Sequence, residues 1–147
     1  MSRPLRLAVV DANIAIHAVL ETELSPLAER AWVSWNEAGT DTCTPRLWLY
    51  EVTSAIHRAY MQGQIREEQA LAALEIALGF GVQIVPDDGL VPEAFRWATR
   101  LGRLATYDCF YLALAEHLGA EFWTADKSLA NASRQAGLPW VHWIGEL

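Results

Sequence analysis

Four acidic residues stand where acids are costly. Asp11 directly follows the apolar run Leu5 to Val10, and Asp126 follows Glu121-Phe122-Trp123 across Thr124-Ala125. Each falls at the carboxyl end of an expected buried strand. Glu51 sits in Leu47-Trp48-Leu49-Tyr50-Glu51-Val52, and Asp108 in Tyr107-Asp108-Cys109-Phe110-Tyr111-Leu112-Ala113-Leu114-Ala115. Both segments read as helices apolar around most of their circumference, and therefore buried. A first-turn carboxylate gains at most about 1–2 kcal/mol from the helix dipole, whereas burying an ion costs several kcal/mol more. The Asp108 helix holds no Lys or Arg, so a distant arginine or a metal cation has to offset the charge.

Each position also has a structural explanation. Asp11 and Asp126 suit helix N-caps, and Glu51 shares a helical face with Ala55 and Arg58, where an arginine pair would satisfy it. As a set, the four acids point to one chemistry. Gathered carboxylates repel strongly unless cations lie between them. All-oxygen donor sets select Mg2+ or Mn2+, ions that activate water and stabilise charge on a transferring phosphoryl group. Asn13 is an alternative cap beside Asp11, and Thr124 is suited either to bond the local backbone or to orient a carboxylate.

The elements that must position these acids alternate along the chain. Strands are expected at Leu5 to Val10, Asp41 to Cys43, Val82 to Val85, Glu121 to Trp123 and Trp140 to Trp143. Helices are expected at Asn13 to Leu20, from Pro26 to a stop at Gly39, and from Thr44-Pro45 to about Tyr60. Further helices follow over Arg66 to Leu78, Val91 to Leu101, Thr106 or Tyr107 to Leu118, and Asp126 to Gln135. Such alternation predicts an α/β fold with a mostly parallel sheet of about five strands between helices. Sites in such sheets form at the carboxyl ends of the strands, near a topological switch point.

The chain of 147 residues suits a single domain over 1–147, large enough for one hydrophobic core. No apolar run approaches the roughly 20 residues of a bilayer span. The basic start Met1-Ser2-Arg3-Pro4-Leu5-Arg6 precedes too short an apolar run for a signal peptide, so the cytoplasm is the expected location. Cys43 and Cys109 match no metal or disulfide spacing and read as small buried residues. The net charge of −7 argues against a non-specific nucleic-acid coat but not against an enzyme that meets phosphates through bound cations. Every basic residue except Lys127 is arginine, the better bidentate phosphate ligand. Arg46 and Lys127 rank first as RNA contacts because they neighbour Glu51 and Asp126 in sequence; Arg58, Arg100 and Arg103 follow.

The segments Val9-Val10-Asp11-Ala12-Asn13, the Glu51 helix, Tyr107 to Ala115, and Thr124-Ala125-Asp126-Lys127-Ser128-Leu129 together resemble the PIN-domain family. The resemblance is nearest to the VapC-type toxins of bacterial toxin–antitoxin pairs, and it runs in order over essentially the whole chain. It implies a three-layer α/β/α sandwich with Mg2+ or Mn2+ at the acidic site. It also implies endonucleolytic cleavage of RNA, a homodimer, inhibition by a cognate antitoxin, and larger toxin–antitoxin assemblies. By the family pattern, Asp11, Glu51 and Asp108 correspond to the core acids and Asp126 to the more variable fourth. Asn13 and Thr124 correspond to the polar positions beside them.

Two other readings stand beside this one. A metal-dependent phosphatase or DNA nuclease would use a similar sheet, but Asn13 stands where an aspartyl-phosphate mechanism wants a second Asp. A non-catalytic partner-binding module would need no intact set of acids. His17, His57, His117 and His142 form no paired metal or triad spacing, and no phosphate-binding glycine loop is present. Trp32, Trp35 and Trp48 suit either an interface or the core.

Overall fold

The computed structural model describes residues 6–147. The strand start expected at Leu5 and residues 1–4 of the basic start lie outside the described residues. One sheet contains β1 (Leu7–Val10), β2 (Asp41–Pro45), β3 (Gln83–Val85), β4 (Glu121–Thr124) and β5 (Val141–Trp143). Its order is β3-β2-β1-β4-β5, and every pairing is parallel. Around it lie α1 (Ala12–Val19), α2 (Ser25–Ala38), α3 (Leu47–Met61), α4 (Glu67–Leu78), α5 (Val91–Arg100), α6 (Tyr107–Leu118) and α7 (Lys127–Gln135).

Alternation along β1 divides the core. Val9 joins Cys43, Phe122 and Val141 in a cluster with Val52, Ile56 and Leu112 from α3 and α6. Ala8 and Val10 face the other way, onto Ile14 of α1, Ala28, Ala31 and Trp35 of α2, and Ile144. Strands covered on both faces read as unbroken apolar runs, and that is why β1 is visible in the sequence. The fold is thus the expected α/β/α sandwich, with a sheet wholly parallel among the described residues.

Some boundaries differ from expectation. β2 runs on through Thr44 and Pro45, where a helix start was expected, and α3 begins at Leu47. The Thr44 hydroxyl donates to the Val10 carbonyl at 3.3 Å, and Pro45 pairs opposite Val85 in the last register position of the strand. At a strand end the missing proline N–H costs little. The sequence Pro86-Asp87-Asp88-Gly89, which reads as a turn, leads into a 3-10 turn at Asp88–Leu90, while the 3-10 turn at Ile144–Glu146 was not anticipated and carries Ile144 into the core.

Trp35 and Trp48 are buried packing residues, not surface anchors, and half-buried Trp32 stacks on Phe80 at 4.5 Å. Cys43 and Cys109 are free and buried, and burial pushes both thiols up to about 11. Among the described residues, no helix is long and apolar enough to cross a membrane.

From β1 the chain moves outward to β2 and β3, then returns to the opposite side of β1 at β4. The return is made at Gly119, whose positive φ of 62° closes α6 and releases the chain into β4. The crevice between the carboxyl ends of β1 and β4 is therefore the switch point.

Candidate metal centre

Asp11 and Thr124 face each other across that crevice. The Asp11 N–H donates to the Trp123 carbonyl at 3.0 Å, which carries the β1–β4 pairing to the lip of the sheet. Asp11 is only 4% exposed. Its Oδ2 accepts the Thr124 hydroxyl at 2.9 Å, and its Oδ1 accepts the Asn13 N–H at 3.4 Å as the cap of α1. The Thr124 hydroxyl also accepts from Asn13 Nδ2 at 3.2 Å and from the Asp126 N–H at 3.0 Å. One donor and two acceptor sites are thus all used. Asn13 completes the loop, its Oδ1 accepting the Ala125 N–H at 2.9 Å. Asp126 caps α7 through the Leu129 N–H at 3.0 Å. The capping explanation thus holds for Asp11 and Asp126, and it coexists with their place in the cluster.

The other two acids come from helices. Half-buried Glu51 on α3 accepts the Tyr111 hydroxyl at 2.6 Å, and among the described residues it pairs with no arginine. Asp108, in the first turn of α6, is also half-buried.

Electrostatics tie the four together. Burial pushes the Asp11 carboxyl up to about 8, and the charges of Asp108 and Glu51 push the same way against the Thr124 and Asn13 hydrogen bonds. Burial raises Glu51, the Tyr111 hydroxyl lowers it, and Asp108 raises it again. Burial raises Asp108; the Arg103 guanidinium opposes this and Asp126 adds to it. The offset that the sequence demanded for Asp108 thus comes partly from Arg103, five residues upstream. Burial, Asp11 and Glu51 drive the Tyr111 phenol well above its ordinary range, so it stays a hydrogen-bond donor.

Among the described residues, no three His, Cys, Asp or Glu side chains already converge at ligating distance. The carboxylates are turned instead onto Tyr111, Thr124 and backbone N–H groups. The donor chemistry nevertheless fits a hard cation. It is all oxygen, buried or half-buried, and its members disfavour one another's charge in the way a divalent ion would relieve.

Of the cations expected near RNA, Arg46 is exposed just before α3, and Arg58 is exposed in its last turn. Lys127 opens α7 with its Nζ 4.8 Å from the centre of the Trp143 ring. Tyr111 is the partner that sequence reasoning passed over. Its signal was the spacing of three residues from Asp108, which sets the two side chains on neighbouring turns of one helix face. The histidines are engaged elsewhere, His17 with Thr22 at 2.7 Å and His142 with Glu121.

A wholly parallel five-stranded α/β/α sandwich with acids from four elements gathered at its switch point defines a class of proteins. This chain belongs to the PIN-domain family, which matches residues 8–135. It is 32% identical over 125 residues to Ribonuclease VapC3 of Pyrobaculum aerophilum, covering 84% of this chain and 92% of that one. Among solved structures it is similar to PAE2754 of Pyrobaculum aerophilum, with a TM-score of 0.71 and 19% identity over 96% of this chain and 85% of that one. It is also similar in fold to a chain of a toxin–antitoxin complex from Klebsiella pneumoniae. There the TM-score is 0.60 and the identity 20%, over 92% of this chain and 95% of that one.

Proposed function

We propose that the protein is a divalent-metal-dependent endoribonuclease, the toxin of a toxin–antitoxin pair. The observation that carries this reading is the gathering of buried and half-buried carboxylates at the switch point, where Asp11 lies in the field of Asp108 and Glu51, Asp108 in that of Asp126, and the Asp126 N–H shares the Thr124 hydroxyl with Asp11. These four residues would hold Mg2+ or Mn2+. When bound, the cation supplies a more acidic water and neutralises charge on the phosphoryl oxygens. The protein's own part is orientation. Thr124 fixes Asp11 against Asp126 and Asn13, while Tyr111 fixes Glu51. Such supporting hydrogen bonds set ligand direction in metal sites.

RNA as substrate is supported by the similarity to Ribonuclease VapC3, and an antitoxin partner by the toxin–antitoxin complex that shares this fold. A homodimer belongs to the same reading. The test is cleavage of pooled cellular RNA with Mg2+, Mn2+ or EDTA, comparing wild type with Asp108→Ala. We expect metal-dependent cleavage that the substitution abolishes, leaving 5′-phosphate and 3′-hydroxyl ends. Ends bearing 2′,3′-cyclic phosphate, or cleavage that survives EDTA, would overturn the reading.

A further inference from the structure

Lys127 is the only lysine of the chain, and it stands where a helix does not favour one. It opens α7 directly after the cap Asp126, and the N-terminus of a helix is its positive end. Helix stability therefore does not account for the cation. Nor does charge pairing, because Lys127 is exposed and makes no ion pair among the described residues. What it meets is the ring of Trp143, whose centre lies 4.8 Å from Nζ.

That ring is fixed by the fold and not by the lysine. Trp143 ends β5 and stands opposite Thr124 in the register of β4 and β5. It packs against the core clusters on both faces of the sheet. Its Nε1 is shielded and has no hydrogen-bond partner among the described residues, so packing sets its place. Gly145 lies against the ring: a side chain there would bring its first carbon within 2.0 Å of it, and glycine alone leaves the room.

The chemistry of this arrangement is selective. A carboxylate partner would hold the ammonium but cancel its charge. An aromatic face attracts the cation through its quadrupole and carries no net charge. The N–H donors and the charge of Lys127 thus stay available. The place is selective too. Thr124 bonds Asp11 and the Asp126 N–H at the acidic site, and Trp143 is its neighbour on the next strand. The lysine is held at the carboxyl edge of the sheet, on the β5 side of the acids. In a chain of net charge −7, an unneutralised cation there suits an anion that has to approach carboxylates.

We propose that Trp143 is a positioning residue: its ring, seated on Gly145, aims the Lys127 ammonium at a backbone phosphate of the RNA, outside the metal centre on the β5 side. This rests on the ribonuclease reading and adds a phosphate contact that the acids do not make.

The probe is a labelled strand spanning a cleavage point mapped in the pooled-RNA experiment, cut with Mn2+. The salt dependence of binding is read in the Asp108→Ala background, where the strand stays intact. Lys127→Met should raise KM about tenfold with a smaller change in kcat, and lower the slope of log affinity against log salt by about one. Lys127→Arg should keep the slope. The loss should be alike for strands of different sequence, because a phosphate contact reads no base. Trp143→Leu should raise KM about threefold with the salt slope kept, and Trp143→Phe, which restores a ring face, should recover most of that loss. Gly145→Ala, which displaces the ring, should behave as Trp143→Leu. The double variant decides the role. Trp143→Leu added to Lys127→Met should change KM no further, whereas a merely structural tryptophan would add its full effect. Lys127→Met, at an exposed position, folds whatever Trp143 does for the core. An active Lys127→Met with unchanged KM and salt slope would overturn the proposal and leave the ribonuclease reading standing, as would additive effects of the two substitutions. A wild type that cuts nothing in the RNA pool removes the ribonuclease reading itself, and this proposal with it.

Discussion

Thr124 shows how much one hydroxyl organises. It donates to Asp11 and accepts from Asn13 and Asp126, so Thr124→Val keeps the shape and strips three hydrogen bonds at once. We expect a stability loss of about 2 kcal/mol by denaturant unfolding and a fall in Mn2+ affinity of roughly 10-fold or more by calorimetry. Asp11 makes a pH-dependent contribution whose sign is fixed. Its folded carboxyl sits at about 8, above the ordinary 3.8. Its contribution is therefore fully present below about pH 4 and is lost as the pH rises through about 8. In EDTA, the Asp11 contribution lowers Tm between about pH 4 and pH 8, and saturating Mg2+ should flatten that slope. Asp11→Asn should remove most of the slope without metal; an unchanged slope would refute this assignment. The acids were legible in the sequence because each broke an apolar run. Tyr111 was not, because a tyrosine in a buried helix looks like packing until the acid opposite its hydroxyl is known.

At the scale of elements, strand order could not be read from the sequence, yet it decides the site. Parallel strands and helices followed from the alternation of apolar runs and breakers. That β4 lies beside β1, bringing Asp126 to Asp11, is a tertiary fact with no local signature. The Thr44-Pro45 boundary was misread for a local reason. Proline suits both a helix start and a strand end, and here the pairing of Pro45 with Val85 decided between them. α6 carries both Asp108 and Tyr111, so its ending matters to the site. Gly119 adopts φ 62°, and Gly119→Ala should cost about 1 kcal/mol by thermal or urea unfolding. The metal affinity should survive if α6 keeps its position.

For the whole molecule, the same acids that lower the stability of the metal-free protein should make metal a strong stabiliser. Binding that favours only the folded state contributes about 2.7 kcal/mol at 100 times Kd. Mg2+ or Mn2+ should accordingly raise Tm in wild type and leave Asp108→Ala nearly unmoved. An equal rise in both would mean that the ion acts elsewhere.

The order in which the chain supplies its acids has a consequence during synthesis. Asp11 and Glu51 belong to the first part made, and Asp108 and Asp126 to the last. The strand that brings the final acid alongside the first, β4, spans Glu121–Thr124. A ribosome that has made only β1 to β3 holds Asp11 and Glu51 without Asp108 and Asp126. On the nuclease reading proposed above, such a nascent chain would cut no RNA until β4 has set Asp126 beside Asp11.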